Sequence, residues 1–165
     1  MDIDSALLAL SQVAVGLIGF SSVLVALSGA PGTWSALDSF RIKGMLANSI
    51  CLLLLSLVPF LLSFLGAEDQ IVWRCSAGLV AVFLIIGMVI NLRAYLSLSD
   101  SHRAAVRPPF VWTIYFVGSL VLIAESAAAL GFLGPPEGTY FVGLFFLLTL
   151  ASYLIVRFLF ARPNR

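Results

Sequence analysis

Glu125 is the residue whose type and position point most directly to chemistry. It lies inside the apolar stretch 110–133, nine residues before the turn that begins at Gly134. In a membrane-spanning helix this spacing corresponds to a depth of roughly 13 Å, at about 1.5 Å per residue. An ionised carboxylate near the bilayer centre costs about 2.5–3.5 kcal/mol on insertion scales. We therefore expect Glu125 to be protonated or to bind a cation.

Two hypotheses follow for Glu125. Intramembrane acids often mark proton or cation pathways, which predicts a functional site. Alternatively, the protonated acid forms a hydrogen bond with Gln12, at a similar depth in the first apolar stretch, or with a serine, and thereby fixes helix register. Arg74 would reach the acid only if its side chain turned inward. Because pathways usually need more than one ionisable group and no second acid lies at this depth, the sequence favours the structural role.

Motifs for catalysis and for cofactor binding are missing from the sequence. It contains no His-Glu-x-x-His, no Gly-x-Ser-x-Gly and no phosphate-binding Gly-rich loop with lysine. The apolar stretches contain no histidine pair for haem, and the one lysine, Lys43, lies at a stretch end. Cys51 and Cys75 lie at different predicted depths, which argues against a disulfide. The sequence therefore predicts a protein that is not an enzyme and that holds no metal or cofactor.

Other polar residues in the apolar stretches have structural interpretations. Asn48 and Asn91 lie toward the same end of the second and third stretches, and we expect a hydrogen bond between them. Pro59 should kink the second stretch, because proline removes a helix hydrogen bond.

Composition places the chain in a membrane. Hydrophobic residues make up 61% of the sequence and charged residues only 10%, whereas soluble domains carry about 25% charged residues. The net charge of +1 does not provide an electrostatic surface for nucleic acid. We expect the lipid bilayer to be the first partner and nucleic acid not to be one.

Five stretches are long enough to span a bilayer, which takes about 20 apolar residues. They cover residues 5–28, 42–65, 71–92, 110–133 and 139–160. Short connections rich in glycine, proline or charge separate them. The sequence predicts an all-α membrane protein, a single transmembrane domain over residues 1–165 made of a bundle of five transmembrane helices.

The distribution of basic residues predicts the orientation, since cytoplasmic loops are enriched in lysine and arginine. With the N-terminus outside and the C-terminus in the cytoplasm, eight of the nine basic residues are cytoplasmic and Arg74 alone is outside. The eight are Arg41, Lys43, Arg93, Arg103, Arg107, Arg157, Arg162 and Arg165. This pattern predicts a multi-pass protein of a bacterial-type inner membrane.

Aromatic residues near the ends of the stretches fit interfacial belts. Trp34, Tyr95 and Trp112 fall at the cytoplasmic side, and Trp73 and Tyr140 at the outer side. Residues 33–40 are predicted either to form a short interfacial helix or to be an ordinary loop.

Small residues predict where helices meet, because close packing drives helix association in lipid. The first stretch has a stripe at spacings of four and three, formed by Ser5, Ala9, Gln12, Gly16, Gly19, Val23 and Ala26. The fourth has Gly118, Leu122, Glu125 and Ala129 at the same spacing. We expect these two helices to form a tight pair at the bundle centre.

These features lead to two hypotheses about function. The first is a non-enzymatic membrane protein that acts through helix packing, either as a homo-oligomer or with other membrane proteins. The alternative is a small permease or channel subunit that uses Glu125 as a proton or cation site.

Overall fold

The computed structural model describes residues 3–27, 36–105 and 108–160. The predicted first connection at 29–32, Trp34, Arg107, Arg162 and Arg165 lie outside these residues. The described part of the chain forms helices α1 Ile3–Leu27, α2 Ala36–Phe64, α3 Asp69–Leu96, α4 Asp100–Ala105, α5 Pro108–Ala129 and α6 Pro136–Phe160.

The predicted all-α class and the number of long apolar helices are confirmed. Five helices, all except α4, are long and apolar enough to cross a membrane. Their bounds differ from the predicted ones by a few residues. The helix α2 begins at Ala36 rather than at residue 42, so the end of the segment 33–40 belongs to a spanning helix rather than to a separate interfacial one.

Two helices end with the same glycine-dependent geometry. Gly66 follows α2 and Gly131 follows α5, and each has a φ of 80°, a conformation that glycine adopts without strain. The amide of Ala67 donates to the carbonyl of Leu62, and the amide of Phe132 donates to that of Ala127. These bonds, which span five residues, are typical of a Schellman motif and allow a sharp stop before the next helix.

The connection between α3 and α5 is more ordered than the polar segment predicted at 97–109. It contains the short helix α4, and Arg103 joins it to the end of α3. The Nε atom of Arg103 donates to the carbonyl of Leu98 at 2.8 Å, and Nη2 donates to that of Leu96 at 2.9 Å. Asp100 lies 3.6 Å from the same guanidinium. The arginine thus satisfies carbonyl groups that the helix end leaves free.

Two compact units make up the chain. Unit 1 consists of Met1–Leu54 and Leu147–Arg165, and unit 2 of Leu55–Phe146. Both α2 and α6 therefore contribute to each unit. The buried side chains of unit 1 include Leu7, Met45 and Leu52, and those of unit 2 include Val80 and Leu144. The predicted single transmembrane domain stays a prediction.

Candidate functional site

Glu125 lies in unit 2 and is buried there without a hydrogen-bond partner. Its side chain on α5 is 0% exposed. Neither Oε1 nor Oε2 forms a hydrogen bond with a described residue. Because a buried polar group without a partner is costly, such groups are rare in folded proteins and their surroundings point to function or strain.

The small residues of α5 bring this helix close to α3 and α6. Gly118 is buried, and a Cβ added to it would lie 3.1 Å from Phe146 Cζ on α6 and 3.7 Å from Met88 Sδ on α3. Near the other end, the Cβ of Ala129 lies 3.6 Å from the position of a Cβ on Gly78 of α3. The spacing of small residues on α5 thus coincides with helix contacts inside unit 2.

Gly143 on α6 provides the space that the Glu125 side chain occupies. A Cβ added to Gly143 would collide with Glu125 Oε1 and would lie 2.8 Å from Val80 Cγ1 on α3. The backbone amide of Gly143 interacts electrostatically with the carboxyl group, although the geometry of a hydrogen bond is not reached. The carboxyl group of α5 and Val80 of α3 therefore both lie against the backbone of α6 at Gly143.

Tyr140 lies three residues before Gly143, on the same face of α6. It is 0% exposed, and its ring contacts Trp73 edge to face with centroids 5.9 Å apart. Its side chain is close enough to Glu125 for the two to interact electrostatically. This ring is packed inside unit 2, and the prediction that Tyr140 lies at a membrane interface stays a prediction.

The Tyr140 hydroxyl donates a hydrogen bond to the backbone carbonyl of Leu55 on α2. In an α-helix that carbonyl would accept from the amide four residues later. The residue at that place is Pro59, inside α2, and proline has no amide hydrogen. Tyr140 therefore replaces the hydrogen bond that Pro59 cannot make.

The predicted hydrogen bond between Gln12 and Glu125 would join unit 1 to unit 2, and it stays a prediction. Gln12 on α1 is exposed, and the Glu125 oxygens have no described partner. The other residues of the α1 stripe are exposed as well. A Cβ on Gly16 or on Gly19 would meet no atom within 4 Å. The predicted tight pair between this stripe and α5 would join unit 1 to unit 2, and it stays a prediction.

Asn48 and Asn91, which were predicted to bond each other, lie in different units, and the bond between them stays a prediction. Asn48 Nδ2 donates to the carbonyl of Gly44 at 2.9 Å, and Asn91 Nδ2 donates to that of Gly87 at 2.8 Å. Each amide thus bonds four residues back in its own helix. Local bonding of this kind competes with bonds between helices.

Arg74 does not turn toward Glu125. Its guanidinium lies against Gly131, where a Cβ would be 2.8 Å from Arg74 Cζ. A cation at this place faces the C-terminal end of α5, where the helix dipole is negative. Glu137, at the start of α6, also has a buried oxygen, Oε2, without a described hydrogen bond.

The described residues contain no group of three or more His, Cys, Asp and Glu side chains that could hold a metal ion. No protein-family model, curated protein or solved structure matches the chain. Two features of the chain itself point to function, the exposed stripe of α1 and the buried carboxyl group of Glu125. Sequence reasoning found Glu125 but missed Gly143, Tyr140 and Leu55; the proline four residues after Leu55 was the available signal.

Proposed function

We propose that this chain is a non-enzymatic, multi-pass membrane protein that associates with a second copy of itself through α1. The contact surface is the α1 face, defined as Ser5, Ala9, Gln12, Gly16, Gly19, Val23 and Ala26. The observation that supports it is the exposure of every residue of this face.

The small residues make the α1 face suitable for close approach of another helix. Gly16 and Gly19 have open space where a Cβ would be. In lipid, where apolar contact alone gives little preference for protein over acyl chains, small residues favour association because they let two backbones approach closely.

Gln12 supports a second copy of this chain as the partner. Its exposed amide lies among apolar residues, where lipid chains offer it no hydrogen bond. An amide carries both a donor and an acceptor, so two copies of Gln12 related by a two-fold axis can satisfy each other. Gln12 is therefore self-complementary in a symmetric helix pair.

Gly16→Leu is expected to weaken this association at least about tenfold, equivalent to about 1.4 kcal/mol, because the larger side chain separates the helices. The fold of the single chain should be unaffected, since nothing lies within 4 Å of the added atoms' starting point. Energy transfer between donor-labelled and acceptor-labelled copies in liposomes, measured over a range of protein-to-lipid ratios, gives the association constant.

Gly87→Leu is the matched control, because Gly87 on α3 also has open space at its Cβ position. It should associate as the wild type does. Gln12→Leu should weaken association severalfold by removing the interhelical amide bond. Wild-type protein that stays monomeric, or equal association of the Gly16 and Gly87 variants, would contradict the proposal.

The proposed orientation has the N-terminus outside and the C-terminus in the cytoplasm of a bacterial-type inner membrane. It is supported by the asymmetry of lysine and arginine, with eight of nine on one side. Reporter domains fused at the C-terminus and inserted in the turn after Gly131 are expected to give opposite signals. A C-terminal reporter that is active outside the membrane would refute this orientation.

The alternative function, a small permease or channel subunit, is supported by the unpaired carboxyl group of Glu125. An acid without a fixed partner retains its capacity to bind a proton or cation. The described contacts of this group lead to a more specific proposal, which does not depend on the α1 face.

A further inference from the structure

We propose that Glu125 is a proton-binding site that controls helix α2: when the proton leaves, the Tyr140 hydroxyl turns from the Leu55 carbonyl to the Glu125 carboxylate. The proton is released to water, and the O–H bond of the acid is the one covalent bond that breaks. The device joins three helices of unit 2, with the acid on α5, the donor on α6 and the released carbonyl on α2.

The ionised carboxyl group of Glu125 needs a hydrogen-bond donor. Glu125 is fully buried and neither oxygen accepts a described hydrogen bond. A neutral acid tolerates this arrangement far better than an ion does, because an isolated buried charge is much more costly than a buried neutral group. Ionisation therefore creates a strong demand for a hydrogen-bond donor at this place.

The hydroxyl group of Tyr140 is the donor that meets this demand. Tyr140 is fully buried on the face of α6 that carries Gly143, and Gly143 contacts the carboxyl group. Tyr140 also interacts electrostatically with Glu125. A phenol bound to a carboxylate forms a hydrogen bond roughly twice as strong as one bound to a neutral carbonyl. The ionised acid therefore competes with the Leu55 carbonyl for the same hydroxyl.

Loss of the Tyr140 hydroxyl as a donor affects α2. Pro59 cannot supply an amide hydrogen to Leu55, so the Tyr140 hydroxyl is the described donor to that carbonyl. When the hydroxyl leaves, the carbonyl loses this bond in an apolar environment, which destabilises the helix around Pro59. The segment 55–64 is thus the part of α2 that responds to the protonation of Glu125.

Few other ionisable groups face this site. Val80 on α3 lies against Gly143, Gly143 on α6 lies against the carboxyl group, and Tyr140 on α6 interacts with that group electrostatically. The nearest charged residues along these helices are Arg74 and Glu137, each six residues from the contact. The part of α2 in unit 2, residues 55–64, contains no charged residue. Glu125 and Tyr140 are therefore the titratable pair at the contact.

Hydrogen exchange of residues 56–64, measured by mass spectrometry on the full chain in lipid nanodiscs and corrected for intrinsic rates, tests the proposal. In the wild type, protection should fall about tenfold as pH rises through the ionisation of Glu125, as expected for the loss of one hydrogen bond. Glu125→Gln, which is neutral at every pH, should keep full protection throughout. Tyr140→Phe should show low protection at every pH.

Pro59→Ala separates the proposed device from a general loss of packing. It restores an amide that can donate to Leu55, so protection should become independent of pH. In the Pro59→Ala background, Tyr140→Phe should change protection by less than about twofold, whereas Tyr140→Phe alone should change it by about tenfold. The difference between these two effects is the coupling that a double-mutant cycle measures. If Tyr140→Phe does not fold, the pH profiles of Glu125→Gln and Pro59→Ala still decide.

Ser76 provides a further control, because its hydroxyl is buried without a described partner on α3, four residues before Val80. Ser76→Ala should leave the pH profile unchanged. The proposal is overturned if Glu125→Gln keeps the wild-type pH profile, if Ser76→Ala abolishes it, or if Pro59→Ala leaves the effect of Tyr140→Phe undiminished. Because the measurement is made within one chain, failure of the α1 association would not affect its outcome.

Discussion

Gly143→Ala is expected to lower the free energy of unfolding by about 1–3 kcal/mol, the usual effect of overpacking a close contact. The added Cβ would collide with Glu125 Oε1 and would lie 2.8 Å from Val80 Cγ1. Glu125 is fully buried and cannot move toward solvent. Unfolding by a denaturing detergent in mixed micelles, followed by circular dichroism, measures the change.

Two variants make this result specific to the contact. Gly87→Ala adds a Cβ where no atom lies within 4 Å, so it should be neutral or gain up to about 1 kcal/mol from helix propensity. Adding Glu125→Ala to Gly143→Ala should recover part of the loss, because the obstructing carboxyl group is removed. Equal stability of the Gly143 and Gly87 variants would show that α5 and α6 do not meet at this place.

Glu125→Met is expected to raise the free energy of unfolding by about 1–3 kcal/mol, since it removes a buried polar group that has no partner. Methionine has a similar length and an unbranched, flexible chain, so it can follow the space that the glutamate occupies. Both carboxyl oxygens lack a described hydrogen bond, and no described bond is therefore broken by the change. The same unfolding measurement applies.

Glu68→Met is the control for this second prediction. Glu68 is exposed in the turn between α2 and α3, where a substitution should change stability by less than about 0.5 kcal/mol. A stability loss of 1 kcal/mol or more in Glu125→Met would instead mean that the acid makes a stabilising bond. A gain would mean that the chain retains a destabilising acid, as functional sites often do.

The long helices could be predicted because bilayer thickness sets the length of an apolar run. The span 71–92 predicted from hydropathy corresponds to α3, Asp69–Leu96, with small shifts at both ends. Glu125 could be singled out for the same reason, since an acid is conspicuous in an apolar run. Its neighbours could not, because Val80 and Gly143 meet it only through the packing register of three helices.

The α1 stripe shows why a packing surface can be predicted from sequence but its partner cannot. In water, the polar side of a helix marks its exposed face, but in lipid both faces of a spanning helix are apolar. The spacing of Ala9, Gly16 and Ala26 therefore predicts a packing surface without indicating whether its partner is in the same chain. The structure shows these residues exposed, which leaves the surface available to a partner.

The bond of Asn48 within its own helix and the position of Tyr140 inside unit 2 were not predicted, for related reasons. The side-chain amide of Asn48 donates to a carbonyl of its own helix, and a hydropathy pattern does not predict such a bond. Tyr140 lies close to a helix end, where tyrosines commonly face the membrane interface. Its hydroxyl donates a hydrogen bond to a carbonyl on α2. Only the absence of an amide at Pro59 indicated that such a carbonyl existed.

The bond between Tyr140 and Leu55 joins residues that are 85 positions apart, and this separation affects how the protein is made. Leu55 leaves the ribosome well before Tyr140 does. At about 5–20 residues per second, roughly 4–17 s pass before the hydroxyl that completes α2 exists. During this interval the helix around Pro59 lacks the bond that Tyr140 supplies. We therefore expect α2 to reach its final structure only after α6 has been synthesised.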